Sequence, residues 1–191
     1  KFIDKKFKSG GGFYYWNGLR YFLYEYEMEK VRQRGSQKID WRLFVKSEKD
    51  KVSIEHIYPQ TPTHSSWKSS FKGHKKSQLP FFQGTLGNLL PLSQSINSSL
   101  QNDCFDDKKK AKYNEKKEKI RQGYSDGSHS EIEVSGYEEW NSETILDRGN
   151  KLLEFMEQRW DLKFEDETAK AELLFLDFML EEEELHTTTE E

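Results

Sequence analysis

Hydrophobic positions recur at helical spacing toward both ends of the chain and at strand spacing only in its middle. In "FYYWNGLRYFLYEYEMEKVRQRG", Trp16, Leu19, Leu23 and Tyr26 return every three to four residues. That period predicts one long amphipathic helix over Phe13–Gly35, with Gly35 at its C-terminal stop. "IDWRLFV" (39–45) alternates imperfectly and reads as a short strand or turn. "KVSIEHIYP" is a β-branched run that Pro59 ends, which predicts a strand. A Ser-, Lys- and Pro-rich loop follows, with a helical piece around Trp67. "TLGNLLPLS" is a second short apolar run. Residues 94–122 read as helix in two pieces, broken near Asn102 and Asp103, and "GYSDGSHSE" reads as loop. "NSETILDRGNKLLEFMEQRWDLKF" begins with Asn141 or Ser142 as N-cap and Glu143 in the first turn. Ile145, Leu152, Leu153, Met156 and Trp160 mark its apolar face. "AKAELLFLDFMLEEEEL" reads as a last helix. The fold class expected is therefore α+β: a mostly helical domain around a compact ββα unit with a short two-stranded antiparallel sheet.

Composition adds a core and removes several classes. Only 34% of the 191 residues are hydrophobic, but 14% are aromatic, and each ring buries a large area. One cysteine, Cys104, excludes an internal disulfide framework and a four-cysteine zinc site. No apolar run approaches the roughly 20 residues of a membrane span, and no signal peptide is visible, so a cytoplasmic setting is expected. The chain opens on "KFIDKKFKSGGG" without a methionine, which reads as a fragment of a longer protein.

The net charge of −4 conceals an asymmetry. Residues 165–191 hold eleven Asp/Glu and one Lys, which leaves residues 1–164 at +6. A mildly basic body suits a phosphate-bearing partner. Lys68, Lys72, Lys75 and Lys76 crowd one loop, and seven Lys and Arg121 face four acids over residues 105–121. Both stretches could follow a DNA backbone by charge, with a salt-sensitive affinity.

The ββα unit carries the candidate chemistry. Glu55 and His56 are neighbours at a strand end, so their side chains leave on opposite faces. A histidine near its free pKa of about 6.5 suits a general base. A carboxylate and an amide oxygen, from Glu55 and Asn97, are hard donors suited to Mg2+. Asn88 stands in "LGNLL" at the start of the second run.

"IEHIYPQ", then "LGNLLPLSQSIN" some thirty residues on, then "CFDDKK", resembles an HNH nuclease of the ββα-metal type. More narrowly, the chain is similar to the C-terminal HNH domain of GmrSD-type modification-dependent restriction enzymes and related phage-defence nickases. "YYWNGLRYFLYEYE" upstream and "YEEWNSETILDRGNKLLEFMEQRW" downstream fit the same pattern, so the resemblance covers most of residues 13–164. It implies His56 as the base that activates water, and Glu55 and Asn97 as ligands of Mg2+, Mn2+ or another divalent ion. Many such motifs carry Asp where Glu55 stands, so this ligand reaches one methylene further. Asn88 falls on the position that braces the loop through backbone hydrogen bonds. Lys108 or Lys109 falls where a phosphate-contacting lysine is common, and Arg148 is a further phosphate candidate. The reaction implied is phosphodiester hydrolysis in DNA, leaving a 5′ phosphate and a 3′ hydroxyl, in a bacterial restriction or anti-phage protein.

The resemblance also implies an upstream nucleotide-hydrolysing sensor domain as partner. Residues 1–12 would be the lead-in from it, 13–164 the nuclease with its ββα core at about 50–121, and 165–191 an acidic helix and tail. Two other readings stay open: a nucleic-acid-binding module that does not cleave, and a protein-interaction domain built on the first and last helices, which would include a homodimer.

Overall fold

The computed structural model describes residues 5–7, 11–35 and 52–180. "IDWRLFV" lies outside the described residues. The fold is α+β and mostly helical, with two short two-stranded antiparallel sheets among the described residues.

At its centre, β1 (Val52–His56) pairs antiparallel with β2 (Leu89–Ser93), Glu55 opposite Leu90 and His56 opposite Leu89. β2 runs directly into a helix, α4 (Gln94–Leu100), because Ser93 is a helix cap: its hydroxyl accepts from Ile96 N. Strand, strand and helix thus form the compact ββα unit that the spacing predicts. Between the strands lie α2 (Ser65–Ser70), α3 (Leu79–Gly84) and a 3-10 turn at Leu86–Asn88. Trp67, Phe71 and Phe82 bury there against Tyr58, whose ring stacks on Phe71 at 4.0 Å.

The helical surround buries most of the remaining core. α1 (Leu19–Arg34) turns Leu19, Phe22, Leu23 and Tyr26 inward and ends at Gly35, which takes the left-handed φ of 79° that glycine tolerates. This helix is shorter than the periodicity suggests. Gly12–Tyr15 forms a separate 3-10 turn, and the Trp16-Asn17-Gly18 step interrupts the chain before α1.

α7 (Ser142–Trp160) begins at Asn141, one of the two caps its sequence offers, which forms a reciprocal cap with Thr144. It packs on α1, where the Phe155 ring lies 5.2 Å from Tyr26 and 5.8 Å from Phe22. α8 (Glu167–Leu174) crosses α7 at Gly149, where an added Cβ would fall 2.7 Å from a Leu174 methyl.

Three predicted elements differ. After α4 the chain forms only a short helix, α5 (Phe105–Lys109), and then a hairpin of β3 (Lys112–Tyr113) and β4 (Lys119–Arg121). "KYNEKKEKI" has no apolar stripe to hold a helix on the body. Asn114 instead closes a turn by accepting from Glu118 N at 2.9 Å, and Lys117 takes a positive φ of 61°. Part of the stretch read as loop is a helix, α6 (His129–Ser135), begun by a capping box of Ser128 and Glu131. The last helix ends early at Leu174, because Phe175 turns left-handed. Leu174, Leu176 and Met179 bury in the same core as the strands.

Candidate active site

The end of β1 is held residue by residue. Lys108, from α5, is fully buried and donates to three acceptors: the Glu55 carboxylate at 2.6 Å, Ile57 O at 2.9 Å and His56 O at 3.3 Å. Its ammonium also lies 5.8 Å from the Trp67 ring centre. Asn88 takes over at the next residue. Its Oδ1 accepts from Tyr58 N at 2.7 Å, and its Nδ2 donates to Tyr58 O at 2.9 Å and Gln83 O at 3.1 Å. Trp140 Nε1 donates to the same Oδ1 at 3.0 Å. Asn88 thus ties the Tyr58 and Gln83 backbone to the Trp140 indole. Gln83 Nε2 holds the next two carbonyls, Pro59 O at 3.0 Å and Gln60 O at 3.1 Å.

The turn bearing Asn88 is fixed from behind. Arg148 is fully buried on α7 and donates to Gly87 O at 2.6 Å and Leu89 O at 2.9 Å. Gly87 must be glycine here, since a Cβ would fall 2.1 Å from Ile145 O on the same helix. "LGNLL" and the trailing helix are therefore one structural unit.

These placements correct the phosphate contacts expected of Lys108 and Arg148. Both side chains are enclosed: the Lys108 ammonium is directed to Glu55 and two internal carbonyls, and Arg148 Nη1 to two internal carbonyls. Lys109 is also mostly engaged inward: it donates to Tyr137 O at 3.2 Å and Glu138 O at 2.9 Å, and pairs with Asp106 at 3.1 Å. The lysines exposed in these segments are others: Lys110, Lys112, Lys116, Lys117 and Lys119 along the hairpin, and Lys68, Lys72, Lys75 and Lys76 in the loop.

Glu55 and His56 leave the strand toward different neighbours, as adjacent strand residues must. Glu55 faces Lys108 and Tyr124, whose hydroxyl donates to it at 3.3 Å. Burial pushes the Glu55 carboxyl above its ordinary pKa, and the Lys108 charge opposes that rise. Burial likewise keeps the Tyr124 phenol protonated. His56 faces Tyr14, with ring centres 4.9 Å apart. Burial, helped by the Lys108 charge, lowers its pKa to about 4. The imidazole is consequently neutral at pH 7, the state in which it can accept a proton.

Asn97 on α4 reaches back to β1. Ser53 Oγ gives its one proton to Leu92 O at 3.2 Å, so it must accept from Asn97 Nδ2 at 2.8 Å. That fixes the amide orientation and leaves Asn97 Oδ1 as the oxygen for another partner. Glu55, His56 and Asn97 line one open cleft of about 540 Å³, with Tyr14, Tyr15 and Asn102 on its walls.

Among the described residues, no three His, Cys, Asp or Glu side chains gather as a metal cluster. The donors of the cleft still fit a hard divalent cation: one carboxylate and one oriented amide oxygen, with room for water and a phosphate. With so few protein ligands, and Lys108 already on the carboxylate, such an ion would be held weakly.

Comparison with known proteins now decides the family. The family of GmrSD restriction endonucleases, C-terminal domain, matches residues 3–155. The chain belongs to this family. Nothing among curated proteins or solved structures matches it. Membership makes the chain a restriction-endonuclease domain of GmrSD type. No helix among the described residues is long and apolar enough to cross a membrane. In this GmrSD-family domain, sequence reasoning missed Tyr124, the second donor to Glu55, and Tyr14, the ring on His56. Tyr14 stood in view within "FYYW", outside the stripe of Trp16, Leu19, Leu23 and Tyr26. Tyr124 carried no signal, because its partner lies 69 residues away.

Proposed function

We propose that this GmrSD-family domain is a metal-dependent DNA endonuclease or nickase of the HNH type, acting through His56. The observation that carries the reading is a neutral, largely buried imidazole lining the same cleft as a carboxylate and an oriented amide oxygen. His56 accepts a proton from water as that water attacks phosphorus in line. The strand end cannot swing, since Lys108 and Asn88 satisfy the carbonyls of residues 56–58, so the base stays at a fixed place over the cleft. Glu55 and Asn97 would hold one Mg2+ or Mn2+. Such an ion, when bound, supplies positive charge for the phosphate and for the leaving 3′ oxygen. The products are a 5′ phosphate and a 3′ hydroxyl. The exposed lysines of the β3–β4 hairpin and the 68–76 loop, rather than Lys108 or Arg148, would meet the DNA backbone. In a restriction or anti-phage protein, an upstream nucleotide-hydrolysing sensor would govern this activity.

The test is cleavage of supercoiled plasmid with Mg2+ or Mn2+, comparing wild type with His56→Ala. Conversion to nicked or linear DNA by the wild type and its loss in the variant are expected. Equal cleavage by both proteins would remove His56 from the mechanism.

A further inference from the structure

The 3-10 turn before α1 divides its aromatic residues between two environments. Phe13 turns inward, 4% exposed, and meets Phe7 edge-on at 5.9 Å. Tyr14 and Tyr15 turn outward, 39% and 50% exposed, with their rings perpendicular at 5.5 Å. Two glycines set these directions. An added Cβ at Gly11 would lie 1.9 Å from the Tyr15 ring, so that ring rests against bare backbone. Gly12 has a φ of +50°, and a Cβ there would fall 2.5 Å from Gly84 O, so the turn is seated directly on α3. The two rings are therefore held in place, although both are exposed.

Their location gives them a use. Tyr14 and Tyr15 line the cleft of Glu55, His56 and Asn97 on one side, and a neighbouring cleft of about 460 Å³ with the exposed Arg20 on the other. The Lys6 ammonium sits 5.3 Å from the Tyr15 ring centre. Exposed aromatic faces with cations beside them are the parts that hold unpaired nucleotides: bases stack on the rings and phosphates meet the charges. A duplex keeps its base faces inside the stack and shows only their edges.

We infer that Tyr14 and Tyr15 form a stacking subsite for an unpaired nucleobase beside the scissile phosphate, so that the substrate is single-stranded or locally opened DNA. The inference rests on the nuclease reading of the adjoining cleft. Tyr14 also contacts His56, so Tyr15, whose ring meets Tyr14 and Lys6, is the cleaner residue to vary.

The experiment measures binding of labelled oligonucleotides by fluorescence anisotropy in EDTA, where no cleavage intervenes. The probes are a single strand, the matching duplex, and the single strand with abasic sites. Tyr15→Ala should weaken single-strand binding roughly tenfold, within the range that removal of one base–aromatic stack produces, and barely change duplex binding. Tyr15→Trp should restore it, and the wild type should hold the abasic strand about tenfold less tightly. Unchanged binding by Tyr15→Ala, an equal loss on strand and duplex, or an abasic strand held as tightly as the intact one would overturn the subsite. Plasmid cleavage without these contrasts would leave the nuclease reading standing alone. The contrasts without cleavage under any divalent ion would retain the base-stacking site and remove the scissile phosphate from it.

Discussion

Glu27 and Glu55 are both buried glutamates, and opposite kinds of partner hold them. Glu27 on α1 accepts from His129 N at 2.9 Å, Ser130 N at 2.8 Å and Ser130 Oγ at 2.6 Å, all at the start of α6. Its charge is spread over neutral dipoles that the helix N-terminus leaves unpaired. Glu55 is held by a single full charge, Lys108, and a phenol, and it lies at the edge of an open cleft. The Glu27 contacts lock two helices together and lead nowhere. The Glu55 contacts balance a buried carboxylate that lines the cleft. One fold thus neutralises buried carboxylates in two ways, by neutral dipoles or by a paired charge, and burial alone does not tell them apart.

The contrast can be broken in steps. The largest expected effect lies on the cleft side: His56→Ala should lower plasmid cleavage by about 10²–10⁴-fold, with its circular dichroism spectrum unchanged. Next, Lys108→Met strands a buried carboxylate and should cost about 3–5 kcal/mol of stability in urea denaturation. The double variant Glu55→Leu/Lys108→Met should recover most of that loss while remaining unable to cleave, because two apolar groups replace the pair. Recovery of cleavage along with stability would show that Glu55 has no part in the reaction. Glu27→Gln retains one acceptor oxygen for three donors, and should cost about 2 kcal/mol with cleavage at a permissive temperature intact.

A further expected effect is one of pH. His56 titrates near 6.5 when unfolded and at about 4 when folded. Between those values the unfolded chain carries a proton that the native one does not, so stability falls as pH drops from 6.5 to 4 and then levels off. The full effect is about 3 kcal/mol. His56→Gln should lose correspondingly less between pH 7 and pH 4.5, measured as a shift of the urea midpoint.

Much of the fold and part of the site were legible in the sequence. The strand bounded by Pro59, the stop at Gly35 and the cap at Asn141 are local signals, and each appears where its residues indicate. Asn88 was readable because its contacts belong to a motif. Lys108 was not: a lysine's sequence neighbours do not reveal that its long side chain will fold inward to a glutamate 53 positions away. Arg148 is alike, its partners being carbonyls of a distant turn. α6 was missed for another reason. Its polar surface suggested loop, while the Ser128–Glu131 capping box was present in "SHSE" and went unused.

The brace behind "LGNLL" has a consequence in time. Arg148 follows the Gly87 carbonyl that it holds by 61 positions, and Trp140 follows Asn88 by 52. A ribosome making this chain therefore releases His56 well before the parts that fix its strand end. Until α7 emerges and docks, the growing polypeptide carries His56 without the frame that fixes its strand end.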